Sequence, residues 1–388
     1  NLVSNPNFTD TGSELVVNGT FVGVANGTDV ITLSGWSAYN TPISRNVESE
    51  RLEIVTSGSN EGAKLSITTT IGKSYKLQYT ATGDTGAQGI YISGISGVNT
   101  STETTFYFVA IATTTTINFR AGTNSAGTTY YDDISVKELG ADWTTVEAGI
   151  DTYDENGLTI TSLTGTALNR IYQNNVTEDG KSYKVTYTIY ATSYSAGTAL
   201  KYYDGNSYEN LPEQGVGTYT FYYTREGTLD NWYFSLNSST SGSTTDYVTI
   251  SNLTVQELGE GWTTTETWAF NDDYATASGN NTSQYLQQDF TTVNGKTYKF
   301  NYEILQNTLN GNGASLSSSG AFGSVSISSD IGTHTAYIVA LDSNLPAIKM
   351  GVSSTATTGN IEITNISIKE IATSYLTQGV SLSAKTWK

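Results

Sequence analysis

The 388-residue chain has no cysteine, one histidine, one methionine and four prolines. Without cysteine there is no disulfide framework and no thiolate metal site. A lone histidine, His334, leaves no histidine cluster and no conventional catalytic triad to draw. Charge is also scarce, at 14 per cent of residues, and it is one-sided: 36 acids against 18 bases give a formal net charge of −18. Such a surface repels a phosphate backbone and an anionic bilayer, so nucleic acid and membrane surfaces are poor partners. No apolar run approaches the roughly 18 residues a membrane helix requires, which argues against membrane insertion. Long Gly/Ser-rich or Pro-rich tracts of the kind that make flexible linkers are missing too.

What is abundant is Thr, Ser, Gly, Asn and Tyr, with 27 tyrosines. Thr and Tyr suit half-buried pleated surfaces, and Gly and Asn suit tight turns. The composition is that of an all-β protein, and its aromatic content and apolar alternation argue against disorder. One stretch is repeated. Gly72-Lys73-Ser74-Tyr75-Lys76-Leu77-Gln78-Tyr79 returns at 180–187 and again at 295–302, at separations of 108 and 115 residues. These separations match whole domains rather than solenoid units. In each copy Gly-Lys supplies a turn, and Tyr-x-apolar-x-Tyr then alternates with period two. The spacing predicts a strand with Tyr75, Leu77 and Tyr79 on one face and Lys76 and Gln78 on the other.

Three closing segments obey the same logic, ending at Leu139, Leu258 and Ile371. In the third, Ile361 and Ile363 are followed by Ile366 and Ile368, so one step of three interrupts a period of two. An odd step turns side chains to the wrong face unless a bulge absorbs it. Bulges are therefore predicted near Asp132–Asp133, Ser251–Asn252 and Thr364–Asn365. The junctions Glu138-Leu139-Gly140 and Glu257-Leu258-Gly259 each lead within a few residues to Trp143 or Trp262. The expected architecture is three tandem antiparallel β-sandwich (jelly-roll) domains in a semi-rigid rod, at 14–139, 140–258 and 259–371. Residues 1–13 form an extra strand or junction, since Leu2 to Phe8 echoes Leu15 to Phe21. Residues 372–388 form a tail that serves as an attachment segment or packs on the third domain.

The pattern Asn18-Gly19-Thr20-Phe21, Gly35-Trp36, Gly-Lys-x-Tyr-x-apolar-x-Tyr and Tyr131-Asp132-Asp133-Ile134-Ser135-Val136 resembles carbohydrate-binding-module-like jelly rolls of the galactose-binding-like kind. The match is best in the first domain. The second and third lack the opening Asn-Gly-x-Phe and the Asp-Asp pair. Tandem domains with Lys-Glu-Leu junctions are also similar to structural proteins of tailed phages, in tail fibres or capsid decoration. The resemblance spans about 14–371, and its motifs are mostly structural. It implies a structural calcium where first and last strands meet, and in this chain Glu14, Asn18 and Asp133 are the candidate ligands. The alternative is that Asp132 and Asp133 simply occupy the bulge. No other cofactor is required.

For catalysis, carboxylates abound but no spacing selects a pair, and we read the chain as non-enzymatic. Aromatic surface is the better lead, because sugars stack their C–H faces on rings while polar neighbours fix orientation. The second domain holds 14 of the 27 tyrosines. In pairs such as Tyr202–Tyr203, strand alternation sends one ring inward and one outward. Tyr203, Tyr208, Trp232 and Tyr233, beside Asp204-Gly205-Asn206 and Asp230-Asn231, are the candidate glycan contacts. The function expected is a virion surface structural protein, located on the particle through one end, with weak glycan binding. The alternative is an extracellular bacterial adhesin or the accessory binding region of a secreted polysaccharide-degrading enzyme. Expected partners are other virion proteins and surface glycans, with self-association left open.

Overall fold

The computed structural model describes residues 8, 11–40, 42–57, 61–83, 88–95, 104–121, 126–146, 151–162, 169–227, 231–237, 246–265, 267–310, 314–317, 324–325, 328–341 and 348–371. The expected tail at 372–388 and Asp230 lie outside them. The described chain is antiparallel β-structure in six sheets, with one short 3-10 turn at Val30–Thr32. The sheets form three pairs of matching strand order. In the second pair, one sheet runs Asp151–Asp154, Gly157–Thr161, Tyr247–Leu258, Ser182–Ser193, Gly217–Thr224. Its partner runs Thr144–Thr145, Asn169–Gln173, Trp232–Asn237, Ala199–Tyr203, Tyr208–Asn210. Each pair encloses one cluster of buried apolar residues, which makes it a sandwich of the jelly-roll kind.

The repeated stretch is the centre of each sandwich. Tyr75, Leu77 and Tyr79 are buried, as are Tyr183, Val185 and Tyr187, and Tyr298, Phe300 and Tyr302. The first tyrosine of each copy also caps the turn before it. Its hydroxyl accepts the backbone N–H of Thr70, Glu178 or Val293 at 2.8, 2.7 and 2.9 Å. The lysine after the turn glycine pairs with the acid of the closing strand: Lys73–Glu138, Lys181–Glu257 and Lys296–Glu370. The bulges lie where the odd step places them. The pairing register shifts between Asp132 and Ser135, between Ser251 and Thr254, and between Thr364 and Ser367. Asp133, Asn252 and Asn365 carry the bend at φ of 50°, 50° and 52°, a region that Asn and Asp tolerate best.

The junctions are built contacts. The N–H of Tyr153 donates to Ser74 Oγ, and that of Phe270 donates to Ser182 Oγ, both at 3.0 Å. Those serines are the third residue of the repeated stretch. Gly140 and Gly259 have φ of +67° and +70°, and a Cβ there would strike the Tyr153 or Phe270 ring at 2.4 and 2.3 Å. At the second junction Lys184 Nζ lies 2.6 Å from Asp272 Oδ2, which also accepts from the Tyr222 hydroxyl at 2.8 Å. The N-terminal segment differs from its expected place at the first domain. Thr11–Glu14 does pair with the end of the closing strand Gly127–Leu139. Phe8, however, is fully buried in the second core, 5.0 Å from the Trp143 ring. The first junction is thereby clamped from both sides.

Candidate functional site

In the strand Trp232–Asn237, Trp232 and Phe234 are fully buried, so Tyr233 between them points out of the sandwich. In Asn169–Gln173, Ile171 faces the core and Tyr172 faces out. Tyr202 packs on the core, which sends Tyr203 outward as strand alternation requires. Tyr208 pairs with Tyr203 across the hairpin. Four tyrosines on four adjacent strands thus form one row on the outer face. Their ring centroids are 5.0 Å apart for Tyr172–Tyr233, 5.5 Å for Tyr233–Tyr203 and 5.0 Å for Tyr203–Tyr208. All four are half-buried, each leaning on the next.

A polar row runs parallel to the rings. Ser235 lies opposite both Arg170 and Lys201, and Lys201 lies opposite Asn210. Arg170 Nη1 donates to the Tyr208 hydroxyl at 3.2 Å, and Asn231 Nδ2 donates to that of Tyr233 at 3.0 Å. Beneath Tyr203 lies the buried guanidinium of Arg225, 5.6 Å from the ring centroid. Asp204 accepts from the N–H groups of Asn206 and Ser207, both at 2.7 Å, and so shapes the turn between Tyr203 and Tyr208. The result is a ring surface with hydrogen-bonding groups along one side.

Tyr203, Tyr208 and Tyr233 therefore come together. Trp232 does not join them. It is fully buried and meets Phe234 edge-on at 4.6 Å, so it packs the core and cannot stack on a ligand. Tyr172 and Arg170 are the members that sequence reading missed. The inward apolar Ile171 was the available signal for Tyr172, but which strand lies beside which is not encoded by alternation.

Glu14 and Asp133 meet at the first bulge, but the structure gives Glu14 another task. Its Oε1 accepts the N–H groups of Val16 and Val136, both at 2.9 Å, and its Oε2 accepts the Ser135 hydroxyl. The carboxylate thus staples the first strand to the closing strand without an ion. Asp133 and Asn18 are exposed, both with left-handed backbone. Among the described residues no three His, Cys, Asp or Glu side chains group to hold a metal. The calcium expectation is corrected accordingly. His334 stacks on Tyr302 at 5.1 Å, and its Nε2 lies 2.7 Å from the Asp330 carbonyl.

No family model matches the chain, and no curated protein matches it either. Three solved structures are similar in part. The tandem CBM22-1–CBM22-2 domain from the N-terminus of Paenibacillus barcinonensis Xyn10C is 9% identical, with a TM-score of 0.24, over 65% of this chain and 100% of that one. A chain in the atomic structure of Sulfolobus Turreted Icosahedral Virus is 11% identical, with a TM-score of 0.22, over 95% and 98%. A chain from the triple jelly roll and turret assembly of an archaeal virus is 11% identical, with a TM-score of 0.20, over 95% and 98%.

Proposed function

We propose that the chain is a non-catalytic surface protein of a virion that binds saccharide through the tyrosine row of its second sandwich. The row of Tyr172, Tyr233, Tyr203 and Tyr208 supports the binding role. It presents adjoining ring faces and edges to solvent on a rigid sheet, with Arg170, Ser235 and Lys201 alongside to accept or donate. Each well-stacked ring contributes on the order of 1 kcal/mol. One copy then binds weakly, and adhesion requires many copies on a particle. The virion placement is supported by the resemblance of the repeated motifs and by tandem sandwiches joined without linkers.

A glycan array probed with the full chain, displayed multivalently, tests the reading. Tyr233→Ala should weaken the signal about fivefold, while Tyr190→Ala, an exposed tyrosine off the platform, should leave it intact. Equal loss in both variants, or no binding by the parent, overturns the saccharide role. Detection of the protein only in cells free of virus overturns the virion placement. A catalytic domain in the same polypeptide would favour an accessory binding region of an enzyme instead.

A further inference from the structure

One position recurs at the end of every sandwich. Lys76 lies opposite Tyr107, Lys184 opposite Tyr222 and Lys299 opposite Tyr337, each pair on neighbouring strands of the same sheet. The second pair grips Asp272, the first turn residue of the hairpin that opens the third sandwich. At the first junction, Tyr107 has its hydroxyl pushed up by burial and by the nearby carboxylates of Glu155 and Asp154. Glu155 occupies in its hairpin the turn position that Asp272 holds. Two of the three Lys–Tyr pairs therefore face an acidic hairpin tip.

The third pair faces nothing among the described residues. Lys299 is exposed, where Lys76 and Lys184 are half-buried. Tyr337 is 64% exposed, against 39% for Tyr222. Thr297 stands where Ser74 and Ser182 accept the hairpin N–H, and its hydroxyl has no hydrogen bond among the described residues. Val339 and Leu341 beside them are 48% and 60% exposed. The tail from 372 to 388 contains no Asp or Glu, so it cannot supply the missing carboxylate. A second copy fits poorly too. The matching hairpin of the first sandwich, Ser44–Glu48 with Arg51–Thr56, has its outer edge covered by Thr28–Asp29, and Gly27 donates to the Val47 carbonyl at 2.9 Å.

We propose that the Lys299–Tyr337 end of the third sandwich is a docking surface for an acidic β-hairpin on another protein's β-sandwich. That hairpin places a carboxylate at its first turn position, and two residues earlier it turns a free backbone N–H towards Thr297. The carboxylate accepts from Lys299 Nζ and the Tyr337 hydroxyl, as Asp272 does from Lys184 and Tyr222. The partner's apolar residues cover Val339 and Leu341.

The probe is a cyclised hairpin peptide spanning residues 268–278 of this chain, the segment that fills the equivalent internal site. It is titrated into the full chain and tracked by NMR shifts. Binding in the millimolar range is expected, at least fivefold weaker with the Asp272→Asn peptide and with Lys299→Met or Tyr337→Ala chains. Lys184→Met serves as the control for peptide entering the internal junction and should leave the affinity unchanged. Absence of binding, or binding indifferent to Lys299→Met and Tyr337→Ala, overturns the proposal. Sedimentation of the full chain as a concentration-dependent oligomer that Lys299→Met dissolves would identify a second copy as the occupant, and would equally overturn it.

Discussion

Replacing Gly259 with alanine should damage the second junction in two separable ways. At φ +70°, a Cβ costs about 1–2 kcal/mol of left-handed strain. That Cβ would also lie 2.3 to 2.5 Å from three atoms of the Phe270 ring, so the ring must shift. Overpacking of this kind costs about 1–3 kcal/mol. The sum is roughly 2–5 kcal/mol, and at about 4 °C per kcal/mol the third sandwich should melt roughly 8–20 °C lower. Calorimetry of the full chain reads the shift. Gly295→Ala isolates the strain, because Gly295 has φ of +78° but nothing within 4 Å of its Cβ. In a Phe270→Ala background, Gly259→Ala should then cost no more than Gly295→Ala does in the parent. The cycle should show a coupling of about 1–3 kcal/mol. If Gly259→Ala and Gly295→Ala cost the same in the parent chain, the ring contact is not what holds the junction, and the reasoning fails.

The remaining predictions concern the charges around this frame. The Lys184 hydrogen bond, with that of Tyr222, holds the Asp272 carboxyl below its ordinary value, and the same bond raises Lys184. A depressed acid stabilises above its unfolded value and loses the effect as pH falls through the folded one; the raised amine loses it as pH rises. The melting difference between parent and Asp272→Asn should therefore be largest near neutrality and shrink between about pH 5 and about pH 3. A constant difference down to acid pH would refute the bond. Glu14→Ala strands the N–H groups of Val16 and Val136 and should cost about 1–3 kcal/mol, while EDTA should leave the parent's melting point unchanged. A calcium-dependent rise that Glu14→Gln abolishes would restore the ion. Trp232→Ala should destabilise the second sandwich by about 3–5 kcal/mol in chemical denaturation, as a core truncation does; an undisturbed melt would return it to the surface.

The parts of the fold readable in sequence are those set by neighbours along the chain. Period two placed Tyr75, Leu77 and Tyr79 inward, and a single odd step located three bulges, because both derive from pleat geometry alone. Tyr203 was separable from Tyr202 on the same ground. Trp232 was misjudged because turn residues beside it suggested a loop, whereas its spacing to Phe234 and Leu236 marks one buried face. Tyr172 and Arg170 entered the platform only through strand order, which alternation does not carry. Phe8 shows the limit most clearly. Its motif copies that of Phe21, yet Phe21 fills the first core and Phe8 the second, so a local pattern names the kind of contact and leaves the partner open.

The same distinction explains why the ends of the array differ although their motifs agree. Lys76, Lys184 and Lys299 occupy one position of one repeated strand, and each faces outward by the same alternation. Whether that lysine is neutralised depends on the segment after its closing strand: an acidic hairpin after Leu139 and Leu258, an acid-free tail after Ile371. At the opposite end, Thr28–Asp29 covers the edge through which the internal hairpins are received, and Arg45 secures Asp29 at 3.0 Å. A chain with two open, complementary ends would propagate into a fibre. One covered edge stops head-to-tail growth while leaving the other end able to take a different partner, so the extra strand of the first sandwich is the element that makes the array polar.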